Sequence, residues 1–314
     1  MNTQKISVSY VLIACCTYKR PKELSRLLNS LCEINLYNNI RIEVLIVDND
    51  SFKSAEMVVD NFKNKSLVIH YIIEENKGLS NARNRVLIEA EKLKASHIAF
   101  IDDDEIPDIY WLTNHIIFYN KFEKIYISSG PTYKKFEGNY PDFIINNKMF
   151  KINTTKRLGA YRKTCASGNV FFPLNIITEN NMRFNEKFNF SGSEDTDFFG
   201  RLSKLGYAIG WNNNAINYEI IDKERANIMW IIKRAFYNGY SVSIIRFSSK
   251  EILKKRFLYI LEKSIIVIFN ILIVLISILF GLTVFLNSLT CTAKNIGKLI
   301  GAISLKPIIY YKGM

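Results

Sequence analysis

Cysteine and histidine are both scarce in this chain, and neither is spaced for chemistry. The five cysteines (Cys15, Cys16, Cys32, Cys165, Cys291) are odd in number and form no CxxC pair. That argues against a disulfide framework and against a thiolate zinc site. The three histidines, His70, His97 and His115, lie far apart, and packing is the better reading for each. No glycine-rich phosphate loop follows the first apolar run, where CCTYKRP stands instead. Nor is there an internal repeat or a low-complexity linker. The opening residues Met1 to Ser9 are short, polar and without a cleavage site, which sets the expectation that the catalytic part stays in the cytoplasm.

What the chain does have is concentrated acid. His97-Ile98-Ala99-Phe100-Ile101 reads as a buried strand and ends abruptly in Asp102-Asp103-Asp104-Glu105. Three aspartates at one strand end repel each other unless a cation neutralises them. Most acid runs are solvated turns. This one follows an apolar strand and precedes a helix-starting Pro107-Asp108, and ligands collect at the carboxyl ends of strands in open α/β sheets. A hard divalent cation, Mn2+ or Mg2+, takes carboxylate oxygens and leaves positions open for substrate phosphates.

Basic charge is concentrated elsewhere. Of the formal +13, a balance of +7 lies between Lys223 and Lys263, and Lys294, Lys298, Lys306 and Lys312 add four more with no acid. Nucleic acid is not the partner we expect, because an apolar run follows the basic stretch. Ile265 to Leu289 is twenty-five residues without a charge, about 38 Å as a helix against a hydrocarbon core of about 30 Å. A basic belt before such a run is the pattern of a membrane anchor facing anionic headgroups. Lysines on both sides leave topology open between a crossing helix and a re-entrant hairpin; a buried core helix is the plain alternative.

Val8–Ala14, Ile42–Val47, Leu67–Ile73 and Ile98–Ile101 are short Val/Ile-rich runs. Helical patterns lie between them at Pro21–Ile34, Ser54–Lys63 and Leu79–Lys94. The alternation predicts βαβ units and a mainly parallel central sheet flanked by helices. Each strand ends in a polar cluster, so one sheet edge forms a nucleotide-binding crevice. Two further ordered pieces, Ser167–Pro173 and Glu194–Leu205, follow a looser stretch. The expected division is a catalytic domain over 1–222, a basic juxtamembrane helical segment over 223–263, and a hydrophobic membrane-anchoring segment over 264–314.

Six segments in series resemble the family 2 glycosyltransferases, over about residues 8–240. They are ACCTYKRPKELSRLLNSL, IEVLIVDNDS, NKGLSNARN, FIDDDEIP, SGNVFF and SGSEDTDFFGRL. The resemblance implies the GT-A nucleotide-diphospho-sugar transferase fold and an inverting, metal-dependent transfer of a sugar. The donor is a nucleotide-sugar, a UDP-sugar by expectation, and the acceptor a lipid-linked or membrane-resident glycan of surface polysaccharide or lipopolysaccharide assembly, at the cytoplasmic face of the cell membrane. Two departures stand out. The QxxRW motif of processive synthases is absent, and no histidine follows the Glu-Asp motif, where Tyr218 or Glu219 falls instead.

The same resemblance distributes the roles. Thr17 and Tyr18 flank the base, Asp48 reads it, and Arg83 holds the nucleotide from the helix that Gly78 opens and Ser80 caps. Asp102 and Asp103 face ribose and sugar, while Asp104, with Asp102, takes the metal. Asp195 is the base that deprotonates the acceptor, and Glu194 orients either that base or the acceptor. Each has a plainer alternative: Asp48 as an Asx turn, Arg83 as a surface residue, Glu194 and Asp195 as first-turn acids favoured by the helix dipole. Arg225 opens a basic-aromatic stretch suited to a membrane interface or a lid over the diphosphate. Two other functions compete: a nucleotidyltransferase, which would want the missing phosphate loop, and a membrane-attached nucleotide-binding protein without transfer activity.

Overall fold

The computed structural model describes residues 5–35, 39–63, 65, 67–152, 157–247 and 253–309. Its first half alternates as expected: β1 (Tyr10–Thr17), α1 (Pro21–Glu33), β2 (Arg41–Asp48), α2 (Glu56–Asp60), β3 (Val68–Ile73), α3 (Leu79–Lys92) and β4 (His97–Ile101). There follow β5 (Glu105–Pro107), α4 (Trp111–Lys121), β6 (Ile127–Ser129), β7 (Thr132–Phe136), α5 (Asp142–Ile145), β8 (Tyr161–Arg162), β9 (Asn169–Pro173) and α6 (Asn175–Thr178). The last elements are α7 (Glu194–Lys204), β10 (Ile209–Trp211), β11 (Asn217–Ile221), α8 (Ile228–Arg246), α9 (Leu253–Ser277) and α10 (Leu282–Ser304).

An eight-stranded sheet runs β3-β2-β1-β4-β9-β6-β10-β8. The first four strands are parallel, and β9 lies antiparallel between β4 and β6. Strand order reverses at β1, with β2 on one side and β4 on the other, which is the switch point where open α/β sheets bind ligands. The inner strands β1, β4 and β9 and most of β2 are buried on both faces, which explains their continuous apolar character. Leu12, Ala14, Leu45 and Phe100 pack with Val86 and Ala90 of α3 and Phe198 and Leu202 of α7. Val11, Ile13, Val44 and Ala99 point the other way, onto Leu24, Leu27 and Leu31 of α1 and Trp111 and Ile116 of α4. A small second sheet, β5-β11-β7, stands beside the carboxyl end of β4.

Three sequence expectations shift. The first strand runs to Thr17 rather than Ala14 and pairs Thr17 with Asp48. The second helix shrinks to Glu56–Asp60 because the Asp48 and Asp50 side chains accept the N–H groups of Asp50, Phe52 and Ala55, holding that segment in turns. The apolar run 265–289 is not one helix: it breaks at Gly281, whose φ of 95° favours glycine.

The expected boundary at 264 does not coincide with a break in packing. Helix α10 docks on α8 at backbone distance, because Gly239, Gly297 and Gly301 have no side chain to hold the helices apart. A Cβ on Gly239 would fall 1.9 Å from the Lys294 carbonyl oxygen, and one on Gly297 would fall 2.0 Å from that of Phe236. Leu286 of α10 completes an apolar cluster with Ile144, Phe150, Ile221 and Ile231. By packing, residues 282–304 belong with the α/β body.

Candidate active site

The carboxyl ends of β1 and β4, the start of α7, the second sheet and the first half of α8 enclose a cavity of about 910 Å³. Its floor is built on Thr17, at the end of β1, whose hydroxyl donates to Asp103 Oδ2 at 2.9 Å. Arg20, just before α1, donates to Asp103 Oδ1 at 3.0 Å and to Asp104 Oδ2 at 3.2 Å. Asp103 is therefore turned to the loop between β1 and α1 rather than to open space. Burial raises its carboxyl and Arg20 works against that shift. Asp102 stays nearly half exposed at the cavity edge.

Arg83 is the centre of the arrangement. Its side chain is 5% exposed; Nη1 donates to Glu194 and Nη2 to Asp102 Oδ1 at 3.3 Å. One guanidinium thus ties the acid run after β4 to the Glu-Asp pair that opens α7. Burial alone would weaken its charge, but the Glu194 and Asp102 carboxylates outweigh it and hold Arg83 firmly protonated. Burial likewise raises the Glu194 carboxyl, with Arg83 opposing, and Glu194 Oε2 is buried with no partner. Beside it, Asp195 lines the cavity and accepts from Thr196 N at 2.5 Å.

A second cationic set comes from elements distant in sequence. Glu219 on β11 lies in register with Lys134 on β7, and the two form an ion pair. Arg225 donates to Glu219 Oε1 at 2.5 Å and also to Asp104. Arg20, Lys134 and Arg225 so neutralise the acids among them. Glu105 lies beneath, accepting from Asp102 N at 3.2 Å and Asn217 Nδ2 at 2.7 Å. Burial, then Asp102 and Asp104, push its carboxyl well up.

Among the described residues, no three acids, histidines or cysteines already stand together as metal ligands. In kind the donor set fits a hard cation: Asp102, Asp104 and Glu219 offer only oxygen, and Arg225 occupies Asp104 with a positive charge.

Of the residues expected at the site, Thr17, Tyr18, Arg83, Asp102, Asp103, Asp104, Glu194 and Asp195 all line this cavity. Asp48 does not. It is fully buried, and its oxygens accept from Asp50 N (3.0 Å), Ala55 N (2.9 Å) and Tyr71 Oη (2.8 Å). The turn alternative for Asp48 is what the structure contains, and Asn49 takes the place on the cavity wall. Asn49 spans the loop, donating to the Glu74 and Asn76 carbonyls and accepting from Gly78 N. Ser80 does not cap α3: buried, it donates to the Asn185 carbonyl, while Asn189 Oδ1 accepts from Asn81 N at 3.0 Å.

Arg20, Lys134 and Asn49 were not singled out from the sequence. Arg20 carried a signal, a cation in the loop at the end of the first strand. Lys134 carried none, lying eighty-five residues from its Glu219 partner.

A sheet of this order, with acids at the switch point and a buried arginine joining two acid motifs, is the GT-A fold of nucleotide-diphospho-sugar transferases. The model of Glycosyl transferase family 2 matches residues 12–177, and the chain belongs to that family. It is 28% identical over 233 residues to the succinoglycan biosynthesis protein ExoM of Rhizobium meliloti (strain 1021), covering 73% of each chain. Among solved structures, it resembles the mannosyltransferase PcManGT of Pyrobaculum calidifontis, solved with GDP-Man and Mn2+. That match has a TM-score of 0.57 at 16% identity and covers 74% of this chain and 64% of the other. S. aureus TarS 1-349 with UDP-GlcNAc matches at a TM-score of 0.53 and 18% identity, over 73% and 66% of the two chains.

Proposed function

We propose that this glycosyltransferase moves a sugar, with inversion, from a nucleotide-diphosphate donor to a hydroxyl of a lipid-linked glycan in surface-polysaccharide assembly. The observation that carries this reading is the Arg83 fork, which ties the acid run and the Glu-Asp pair together at the wall of one cavity. In an in-line displacement the acceptor hydroxyl needs a base on the face opposite the leaving diphosphate, and Asp195, which lines the cavity beside Glu194, is the carboxylate assigned that role here. Glu194, held by Arg83, positions it. Tyr18 and Asn49 border the nucleotide, with Tyr18 offering its ring to the base. Asp48 serves beneath them by holding the loop.

Asp104 and Asp102, with Glu219, would hold Mn2+ or Mg2+, which supplies positive charge to the leaving diphosphate. Arg225, beside the same acids, is placed to pair with diphosphate oxygens. The likeness to a protein that binds GDP-Man and Mn2+ and to one that binds UDP-GlcNAc supports a nucleotide-sugar and a divalent ion here. The ExoM likeness supports a polysaccharide product. Helix α8 supports a membrane-resident, lipid-linked acceptor: Trp230, Arg234, Tyr237 and Asn238 line the cavity on one side, and the apolar α9–α10 pair lies behind.

The test is transfer from a panel of radiolabelled nucleotide-sugars to lipid extracts from polysaccharide-producing cells. One donor should label a lipid, with the opposite anomeric configuration in the product, and EDTA should stop the reaction until Mn2+ or Mg2+ is restored. Retention of configuration, or full activity in chelator, would overturn the corresponding part.

A further inference from the structure

Helix α9 is the most exposed apolar element of the chain. The most apolar eighteen-residue window of Leu253–Phe280 has a mean hydropathy of 2.7, and only 6% of it is buried. Phe269, Leu275 and Ile276 are 57–68% exposed, and Leu279 and Phe280, at the turn, are 81% and 69% exposed. Twenty-eight residues make about 42 Å of helix, enough by length to cross a bilayer of about 30 Å. Packing, not length, decides otherwise.

The returning helix α10 is fixed to the catalytic body along its length. Asn147 donates to Thr290 Oγ1 at 3.1 Å, and the Asn287 side chain accepts from Lys148 N at 2.8 Å. Leu286 is buried with Phe150 and Ile221, and the α8 glycine contacts follow further along. At the other end Arg256, in the first turns of α9, donates to the Ala302 and Ile303 carbonyls at 2.6 and 2.7 Å. The two legs therefore start and finish at one level. Crossing would either pull α10 off the body or carry Asn147 and Lys148 into hydrocarbon.

Charge follows the same division. No charged residue occurs in the thirty positions from Ser264 to Ala293. The legs outside that stretch carry Lys254, Lys255, Arg256, Lys263, Lys294 and Lys298 against Glu262. An apolar tip with a cationic base matches hydrocarbon beneath anionic headgroups.

We infer that α9, the Gly281 turn and the start of α10 form a hairpin that enters one leaflet of an anionic bilayer and returns, leaving the catalytic body and the end of α10 on the same membrane face. This rests on the membrane reading above and fixes its topology. The hairpin reaches about 5–10 Å into the leaflet, the depth of an in-plane amphipathic element. It places the bilayer behind α8, one helix away from the cavity.

The experiment uses the full chain carrying Cys291→Ser, with a single added cysteine at Glu123→Cys on the body or Ile303→Cys at the end of α10. Each is expressed into closed inverted membrane vesicles and exposed to a membrane-impermeant maleimide. Carbonate-resistant protein labelled at both positions from outside is the expected result. Carbonate resistance with Glu123→Cys labelled and Ile303→Cys protected overturns the hairpin while leaving membrane attachment intact. Release by high salt alone, or a soluble dimer that hides this face, overturns the membrane reading itself. In parallel, Leu275→Lys with Leu279→Lys should reduce flotation with phosphatidylglycerol vesicles at least tenfold while UDP affinity stays unchanged. Unaltered flotation counts against insertion of the tip.

Discussion

Replacing Arg83 with Gln is the most informative single perturbation of this molecule. Arg83 and Glu194 are 4% and 3% exposed, so both charges are out of water and each is the other's main compensation. Removing one partner of a buried pair leaves the other uncompensated and costs about 3–5 kcal/mol. Glu194 is poorly placed to recover, because its Oε2 already lacks a partner. Its carboxyl is raised by burial even with Arg83 present, and losing Arg83 raises it further. The sign of the pH dependence follows. In the variant the folded state keeps a proton on Glu194 at pH values where the unfolded chain has released it. Stability is therefore lost as pH rises, by up to about 1.4 kcal/mol per pH unit above the unfolded value near 4.3. Urea unfolding of detergent-solubilised protein at pH 5 and pH 8 measures this: Arg83→Gln should lose more against wild type at pH 8. Adding Glu194→Gln should restore part of the loss and flatten the pH dependence. A loss below about 1 kcal/mol, equal at both pH values, would refute the account of Arg83 as the brace between the two acid motifs.

Asp195→Asn should lower kcat by about 10²–10⁴-fold while isothermal titration with UDP shows unchanged affinity; a rate within threefold of wild type would reassign the residue as a helix-start acid. Gly78→Ala should destabilise the chain by about 1–3 kcal/mol, since φ is +135° and a Cβ would fall 2.2 Å from Asn189 Cγ; an unchanged denaturation midpoint contradicts that geometry. His115 is buried between Ser128 and Asn169 and burial lowers its pKa to about 4. Below about pH 6.5 the unfolded chain takes up a proton that the folded one refuses, so stability falls as pH drops from about 6.5 to 4, by at most about 1.4 kcal/mol per unit. His115→Gln should reduce that slope in pH-resolved unfolding, and an identical slope would assign the dependence elsewhere.

Much of the architecture was legible in the sequence because it is local. Val/Ile-rich runs alternating with helical periodicity predict a parallel sheet, and an acid run at the end of an apolar strand needs charged or polar partners wherever it is buried. Asp102 and Asp104 stood out for that reason, Glu194 and Asp195 through the resemblance carried by SGSEDTDFFGRL, and the structure brings all four onto one cavity. What the sequence left open depends on which way a side chain faces at a strand end and on partners distant in the chain. Asp48 and Asn49 are equally polar neighbours. The pairing of Thr17 with Asp48 and the turn closed by Ala55 N turn the aspartate inward and leave the asparagine on the cavity wall.

The reach of Arg83 to acids 19 and 111 residues away, and the meeting of Lys134 with Glu219 across two strands, exist only after folding. The apolar C-terminal run divides in the same way. Thirty uncharged residues determine that this surface is apolar. Only the glycine contacts between α8 and α10, which let two backbones touch, decide that half of the run belongs to the catalytic body and half faces outward. Composition sets what a segment tolerates as surroundings, and the tertiary contacts select which surroundings it gets.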